Sequence, residues 1–284
     1  LLPLEGTIVS RLVLSVVCAA FAFAAYAQEP TDGSAERRKP SGREGLELPK
    51  LVTDRPDFTE STAVVGTGVI QVEGGVTLDR EGSAHHLTQP EVLLRTGLGR
   101  RFEFRFGSSG VESSREHGSH WKSGMADATF GFKYAILDER HNRPAVAIIP
   151  ILSVPTGASA FSSGHYEPTV KLAVSKDAPL GFSVGANCNV SSLSGESSRY
   201  VQRAASVTLG HALFAGFGGY WEVFAISPWE QGSGAAWVGN TGVSHAIGEN
   251  VQLDVRVGKR MTSVGPNWFA GVGFAVRQPT RFAQ

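Results

Sequence analysis

The stretch 124–137, GMADATFGFKYAIL, alternates with a period of two. Ala126, Ala128, Phe130, Phe132, Tyr134 and Ile136 share one parity, while Asp127, Thr129, Gly131, Lys133 and Ala135 share the other. Successive side chains of a strand point to opposite faces, so one face here is apolar and the other carries charge. The segment exceeds the ~9–11 residues that a tilted strand needs to cross a bilayer. It is also well beyond the roughly five or six residues usual in a soluble sheet. Recurrence of the pattern decides between the two settings.

The pattern recurs along the chain, predicting about twelve strands, an even number as single-chain bacterial barrels have. They are expected near 68–78, 88–98, 101–110, 124–137, 144–154, 166–176, 180–190, 201–213, 216–227, 235–246, 250–260 and 267–277. Ile70, Val72, Val76 and Leu78 give the first an apolar face, and Phe102, Phe104 and Phe106 the third. Val251, Leu253, Val255 and Val257 do so for the eleventh, and Trp268, Ala270, Val272, Phe274 and Val276 for the twelfth. The fifth and ninth are apolar on both parities, and Pro150 in the fifth points to an edge or a bulge, since proline lacks a ladder donor.

Short connections alternate with longer ones. Gly99-Arg100, DERHN (138–142), DAP (177–179), Phe214-Ala215 and Gly248-Glu249 are short; 108–124, 155–166 and 191–200 are long. An up-and-down outer-membrane barrel has short turns at one end and longer loops at the other, whereas a Greek-key sandwich has no reason to alternate. The expected fold is therefore all-β, an up-and-down antiparallel transmembrane barrel, with a soluble secreted β-sandwich as the alternative. Aromatics near strand ends (Trp121, Tyr134, Tyr166, Tyr200, Tyr220, Trp221, Trp229, Trp237, Trp268) suit a girdle at headgroup level.

Composition agrees. Charged residues are 18% of the chain, below the roughly 25% of soluble proteins, and 34 glycines suit bending sheets rather than helices. Lys plus Arg and Asp plus Glu are both 26, so no basic field exists to attract nucleic acid. Residues 1–27 read as a secretory signal peptide: Arg11, an apolar run over 12–25, and an A-x-A site at Ala25-Tyr26-Ala27. Residues 28–50 are charged and rich in Pro and Gly, as a disordered periplasmic linker would be. The barrel is expected over 51–278 and a tail over 279–284. With Cys18 in the leader, Cys188 is left as a single thiol.

Before the first strand lies LVTDRPDFTES (51–61). Asp54, Arg55, Asp57 and Glu60 could suggest a metal or catalytic cluster, but Pro56 keeps Arg55 extended or turning and the EF-hand spacing is absent. Arg55 paired with carboxylates, seating this segment against the barrel, is the favoured reading. The octapeptide TDRPDFTE (53–60), followed by VIQVEGG (69–75) and later IPILSVPTG (149–157), resembles the Gram-negative family called "MetA-pathway of phenol degradation", or simply "transporter". The resemblance spans 51–278 and marks Asp54, Arg55, Pro56 and Asp57 as its motif. It implies an outer-membrane barrel exported across the inner membrane, seated in outer-membrane lipids by the insertion machinery. It further implies transport of small solutes, aromatic or hydrophobic ones included, with no catalytic residues.

On the strand parities opposite the apolar faces lie Glu73, Glu91, Arg95, Glu103, Arg105, Asp127, Lys133, Lys171, Asp254 and Arg256. Charges facing lipid at the midplane cost about 2–4 kcal/mol for Arg or Lys, so these are expected in the lumen. There they either line a permeation path or seal the lumen with ion pairs. A mixed-sign lining favours neutral or amphiphilic solutes over a strong ion preference. His117 and His120, with His85-His86, could contribute to a composite metal site, but loop histidines in water are the default and no cofactor is expected. A barrel-borne lipid hydrolase would need a Ser/His pair such as Ser206 and His211 or Ser244 and His245, yet G-x-S-x-G is absent.

Overall fold

The computed structural model describes residues 50–279. The expected signal peptide, all but the last residue of the linker, and nearly all of the tail lie outside them. Strand segments run in the order β1 (Val69–Glu81), β2 (Ala84–Gly97), β3 (Phe102–Ser108), β4 (Val111–Arg115), β5 (Lys122–Met125), β6 (Ala128–Leu137) and β7 (Ala145–Val154). There follow β8 (Glu167–Asp177), β9 (Phe182–Ser194), β10 (Arg199–Ala212), β11 (Phe217–Ser227), β12 (Ala236–Ile247), β13 (Val251–Arg260) and β14 (Trp268–Pro279). All pairings are antiparallel, and β14 returns to β1 from Val69↔Pro279 to Arg80↔Trp268. β3 and β4 both pair with β2, and β5 continues into β6, so the segments form twelve staves of a closed barrel.

The apolar parity faces outward. Phe130, Phe132, Tyr134 and Ile136 of β6 are exposed, while Gly131, Lys133 and Ala135 between them are buried. The same holds for Val207 and Leu209 of β10, Trp221 and Val223 of β11, and Val255 and Val257 of β13. Trp221 is 59% exposed whereas Arg95, Glu103 and Lys133 are 0% exposed. This inverts the arrangement of a water-soluble domain and is that of a membrane barrel.

Three expectations need correction. The segment 108–124 is not a loop: β4 and β5 pair as a hairpin beyond the breaks at 109–110 and 126–127, leaving 116–121 as the turn. Backbone ladders do not require apolar side chains, so polar residues such as Ser113 and Ser123, whose hydroxyls meet at 2.8 Å, extend the staves past the apolar band. Likewise 191–200 is mostly strand around a turn at 195–198, and β1 joins β2 through 82–83 alone, so loop lengths alternate less than expected. Pro150 lies on an interior stave, paired with Val170 of β8. On the β6 side, pairing resumes in the same register after a gap between Gly131↔Ile151 and Tyr134↔Ile148, which accommodates the missing donor.

The aromatic girdle is also partial. Trp121, Tyr134, Trp221, Trp237 and Trp268 are exposed, but Tyr220 is buried. Tyr220 and Trp221 are consecutive on one strand and cannot both face out.

Candidate functional site

The lumen is filled from within by the chain's own segment ahead of β1. Residues 50–53 sit at the rim formed by the turns 178–181, 213–216 and 248–250, where they line a vestibule of ≈ 1230 Å³ with Gln252 and Arg277. Residues 54–65 cross the lumen, and the chain then returns to that rim to begin β1. The exit requires glycine: Gly66 and Gly68 have φ of 87° and 68°, and a Cβ on Gly97 would fall 1.5 Å from the Gly66 carbonyl oxygen.

Asp54 lies at the centre of the segment's contacts. Its carboxylate accepts from Lys133 Nζ at 2.9 Å, Arg105 Nη1 at 2.6 Å, and the Ser61 backbone and hydroxyl at 2.8 and 2.7 Å. Arg95 Nη1 lies 3.4 Å away. Burial pushes the Asp54 carboxyl up, but Arg95, Lys133 and Arg105 outweigh it and hold it well below the usual carboxylate range. Beneath it, Glu73 accepts from the backbone N–H groups of Asp54 and Arg55 at 2.9 and 3.1 Å, and from Arg95 at 2.9 Å. Arg95 also forks onto Glu103 at 2.8 and 3.0 Å, and Glu103 in turn accepts from the Val65 N–H.

Arg55 pairs with Glu91 and lies 3.6 Å from Asp254. Its guanidinium occupies a niche between β1 and β14, where a Cβ on Gly75 or Gly273 would come within 2.5 or 2.4 Å of it. Two glycines in facing strands are thus explained by one arginine. Arg256 donates to the Pro56 carbonyl at 3.0 Å. Glu60 joins Arg105 at 2.8 Å and Lys171, which together overcome its burial and bring it down to about 2.

On the far wall, Glu222 accepts from the Phe58 and Thr59 N–H groups at 2.8 and 2.7 Å, and Phe58 stacks on Phe224 at 4.4 Å. Thr59 Oγ1 donates to Glu222 Oε1 at 2.5 Å and lies 2.7 Å from Ser206 Oγ, which can donate to it. Asp57 is the exception to this pairing: burial, then the neighbouring Glu222 carboxylate, push it well above its ordinary value.

Glu73, Glu91, Arg95, Glu103, Arg105, Lys133, Lys171, Asp254 and Arg256 therefore face one network, with Asp54, Arg55 and Glu60 on the inner segment. Asp127 stands apart. It accepts from the Gly157 and Ser163 N–H groups at 2.9 and 3.0 Å, fastening the loop 155–166. Sequence reasoning missed Glu222, the anchor of the far wall. Its signal was a lone carboxylate in the otherwise apolar FGGYWEVFAIS of β11.

Beyond the segment, toward the loop rim, lie two chambers of ≈ 400 and ≈ 290 Å³ that share Glu60, Leu93, Gly107, Thr129 and Lys171 as walls. They share no lining residue with the vestibule. Neither hydrolase pair assembles: Ser206 faces the lumen, whereas His211 stacks on Phe182 at 4.2 Å; Ser244 and His245 are consecutive, and His245 stacks on Phe217. Among the described residues, no three His, Cys, Asp or Glu side chains are grouped for a metal. Cys188 is free and exposed.

The fold is shared with solved barrels. An outer membrane channel from Pseudomonas putida F1 superposes with a TM-score of 0.59 at 15% identity, covering 79% of this chain and 99% of that one. The NanC porin gives 0.50 at 13% identity, covering 73% and 98%. No curated protein sequence matches. The family described as "Putative MetA-pathway of phenol degradation" matches over residues 53–278, from the motif inside the lumen to the last stave, and the chain belongs to that family.

Proposed function

We propose that the protein is an outer-membrane channel for small solutes whose lumen is closed at rest by residues 54–65 and opens when they move. The vestibule rim, with its short turns, faces the periplasm, and the loop rim faces outward. The observation that carries this reading is the chemistry of the seal. Apart from the Phe58–Phe224 stack, the contacts named above are hydrogen bonds and ion pairs. Water entering the vacated lumen can replace each of them, so displacement exposes little apolar surface. A chamber on one side and a vestibule on the other give solutes a place to wait. Aromatic and hydrophobic solutes fit the family's described pathway and the mixed-sign wall.

The test uses Thr59 and Ser206, whose hydroxyl oxygens are 2.7 Å apart. Thr59→Cys/Ser206→Cys in a Cys188→Ser background is refolded and placed in planar bilayers and swelling liposomes. The oxidised protein stays silent, and reductant restores conductance and solute entry. A second reading, a permanently sealed barrel, is favoured by the depth of the seal. It requires silence in both redox states, with conductance appearing only after deletion of residues 50–65.

A further inference from the structure

Resting on the channel reading, we infer that the smaller outer chamber is a binding site for small carboxylates, in which the incoming anion takes over Lys171 from Glu60. The two chambers are at the small end of ligand pockets. Their shared walls carry Lys171, whose side chain is 22% exposed, and Leu93 as an apolar surface, with Ile151 added in the smaller one. Arg105 lines the smaller chamber, where Glu60 is the only carboxylate in the lining; the larger sets Glu60, Glu73, Glu91 and Asp127 against Arg55 and Lys171, so the anion is assigned to the smaller one. Arg105 is buried, and its Nε–H finds no hydrogen-bond acceptor among the described residues. A buried guanidinium N–H without an acceptor carries an unmet desolvation cost. Arg105 and Lys171 line a pocket with an apolar side, the chemistry that holds a carboxylate joined to a ring or short chain.

Glu60 occupies that place in the resting state. It is the carboxylate of the inner segment that reaches both Lys171 and Arg105. A solute carboxylate binding at Lys171 competes with it directly. Each bound anion thereby loosens one of the attachments of residues 54–65, coupling occupancy of the outer site to opening. Neutral solutes of the same shape lack this lever.

Benzoate and benzyl alcohol are the probes, titrated into the purified barrel in detergent with tryptophan fluorescence and calorimetry as readouts. Benzoate binds at least tenfold tighter than benzyl alcohol, Lys171→Gln removes that preference, and Lys171→Arg keeps it. Glu60→Gln, which removes the competitor, tightens benzoate severalfold and leaves benzyl alcohol unchanged. A merely structural Lys171–Glu60 pair would give the two variants the same sign. Equal affinity for the two probes, or a benzoate affinity indifferent to Lys171→Gln, overturns the site. Because binding is measured without flux, binding in a barrel that never conducts would refute the channel and keep the site. Conduction with no carboxylate preference would do the reverse.

Discussion

Asp54→Ala is the perturbation with the largest calculable consequence. In the closed state the Asp54 side chain is 2% exposed and neutralises Lys133 and Arg105 directly, with Arg95 next in distance. Removing one partner of a buried ion pair costs about 3–5 kcal/mol, since the opposite charge is left without compensation. Glu103, which also contacts Arg95 and Arg105, keeps part of that compensation, so the lower figure applies. At 1.36 kcal/mol per factor of ten, ~3 kcal/mol shifts the closed-to-open ratio by roughly a hundredfold or more. The expected outcome is a marked rise in open probability in bilayer recordings. A glutamate-specific protease should also begin to cleave the Glu60–Ser61 bond. Asp54→Ala/Lys133→Met should recover part of the loss, because the uncompensated lysine is gone. Currents as rare as in the unaltered protein, with the Glu60–Ser61 bond still protected, would refute the closed-state energetics.

Further outcomes follow from the same geometry. Asp57 is pushed upward in the closed state, so its protonated form is the one the closed lumen prefers; acidification should therefore tighten closure and rising pH loosen it. Asp57→Asn should remove that dependence and lower open probability at neutral pH, measured as conductance across a pH series. Glu60, brought down to about 2, contributes closure above its ordinary value of 4.5 and loses it only as pH falls through the depressed value. A second loosening near pH 2, absent in Glu60→Gln, is the expected signature. Gly273→Ala places a methyl within 2.4 Å of the Arg55 guanidinium and should destabilise closure by about 1–3 kcal/mol, as overpacking does. Raised sensitivity of the Glu60–Ser61 bond to a glutamate-specific protease, with the barrel's heat-modified gel mobility retained, would show it. Val207→Arg, on the outward face of β10, should cost about 2–4 kcal/mol of stability in lipid, read from urea unfolding in vesicles.

Much of the barrel was legible because lipid outside and charge inside impose one parity along every stave. Phe130, Phe132 and Tyr134 against Lys133 sufficed to orient β6, and the inward charges of β1, β3 and β13 were identified the same way. That residues 51–61 seat against the barrel through Arg55 and carboxylates was legible; that the seat lies inside the lumen was not. A short polar segment carries no periodicity, and nothing local distinguishes a carboxylate that meets water from one that meets Arg95 across a lumen. The glycines of the first and last staves held the missing information. Gly75 and Gly273 read as strand bends in isolation, and only the guanidinium between them shows what the space is for. Strand ends were blurred for a related reason: polar hairpins such as β4–β5 keep their ladder after the apolar face has ended.

The inner segment precedes every stave in the chain, yet it bonds to β1, β2, β3, β6, β8, β10, β11 and β13. The sheet closes where β14 meets β1, the strand to which that segment is directly joined. A cylinder completed without it would have to admit twelve residues end-on through the vestibule and find every partner afterwards. A growing sheet that curls around an occupant already tethered to its first edge meets those partners one by one. Assembly and closure of the pore are then a single event, and the protein enters the bilayer shut.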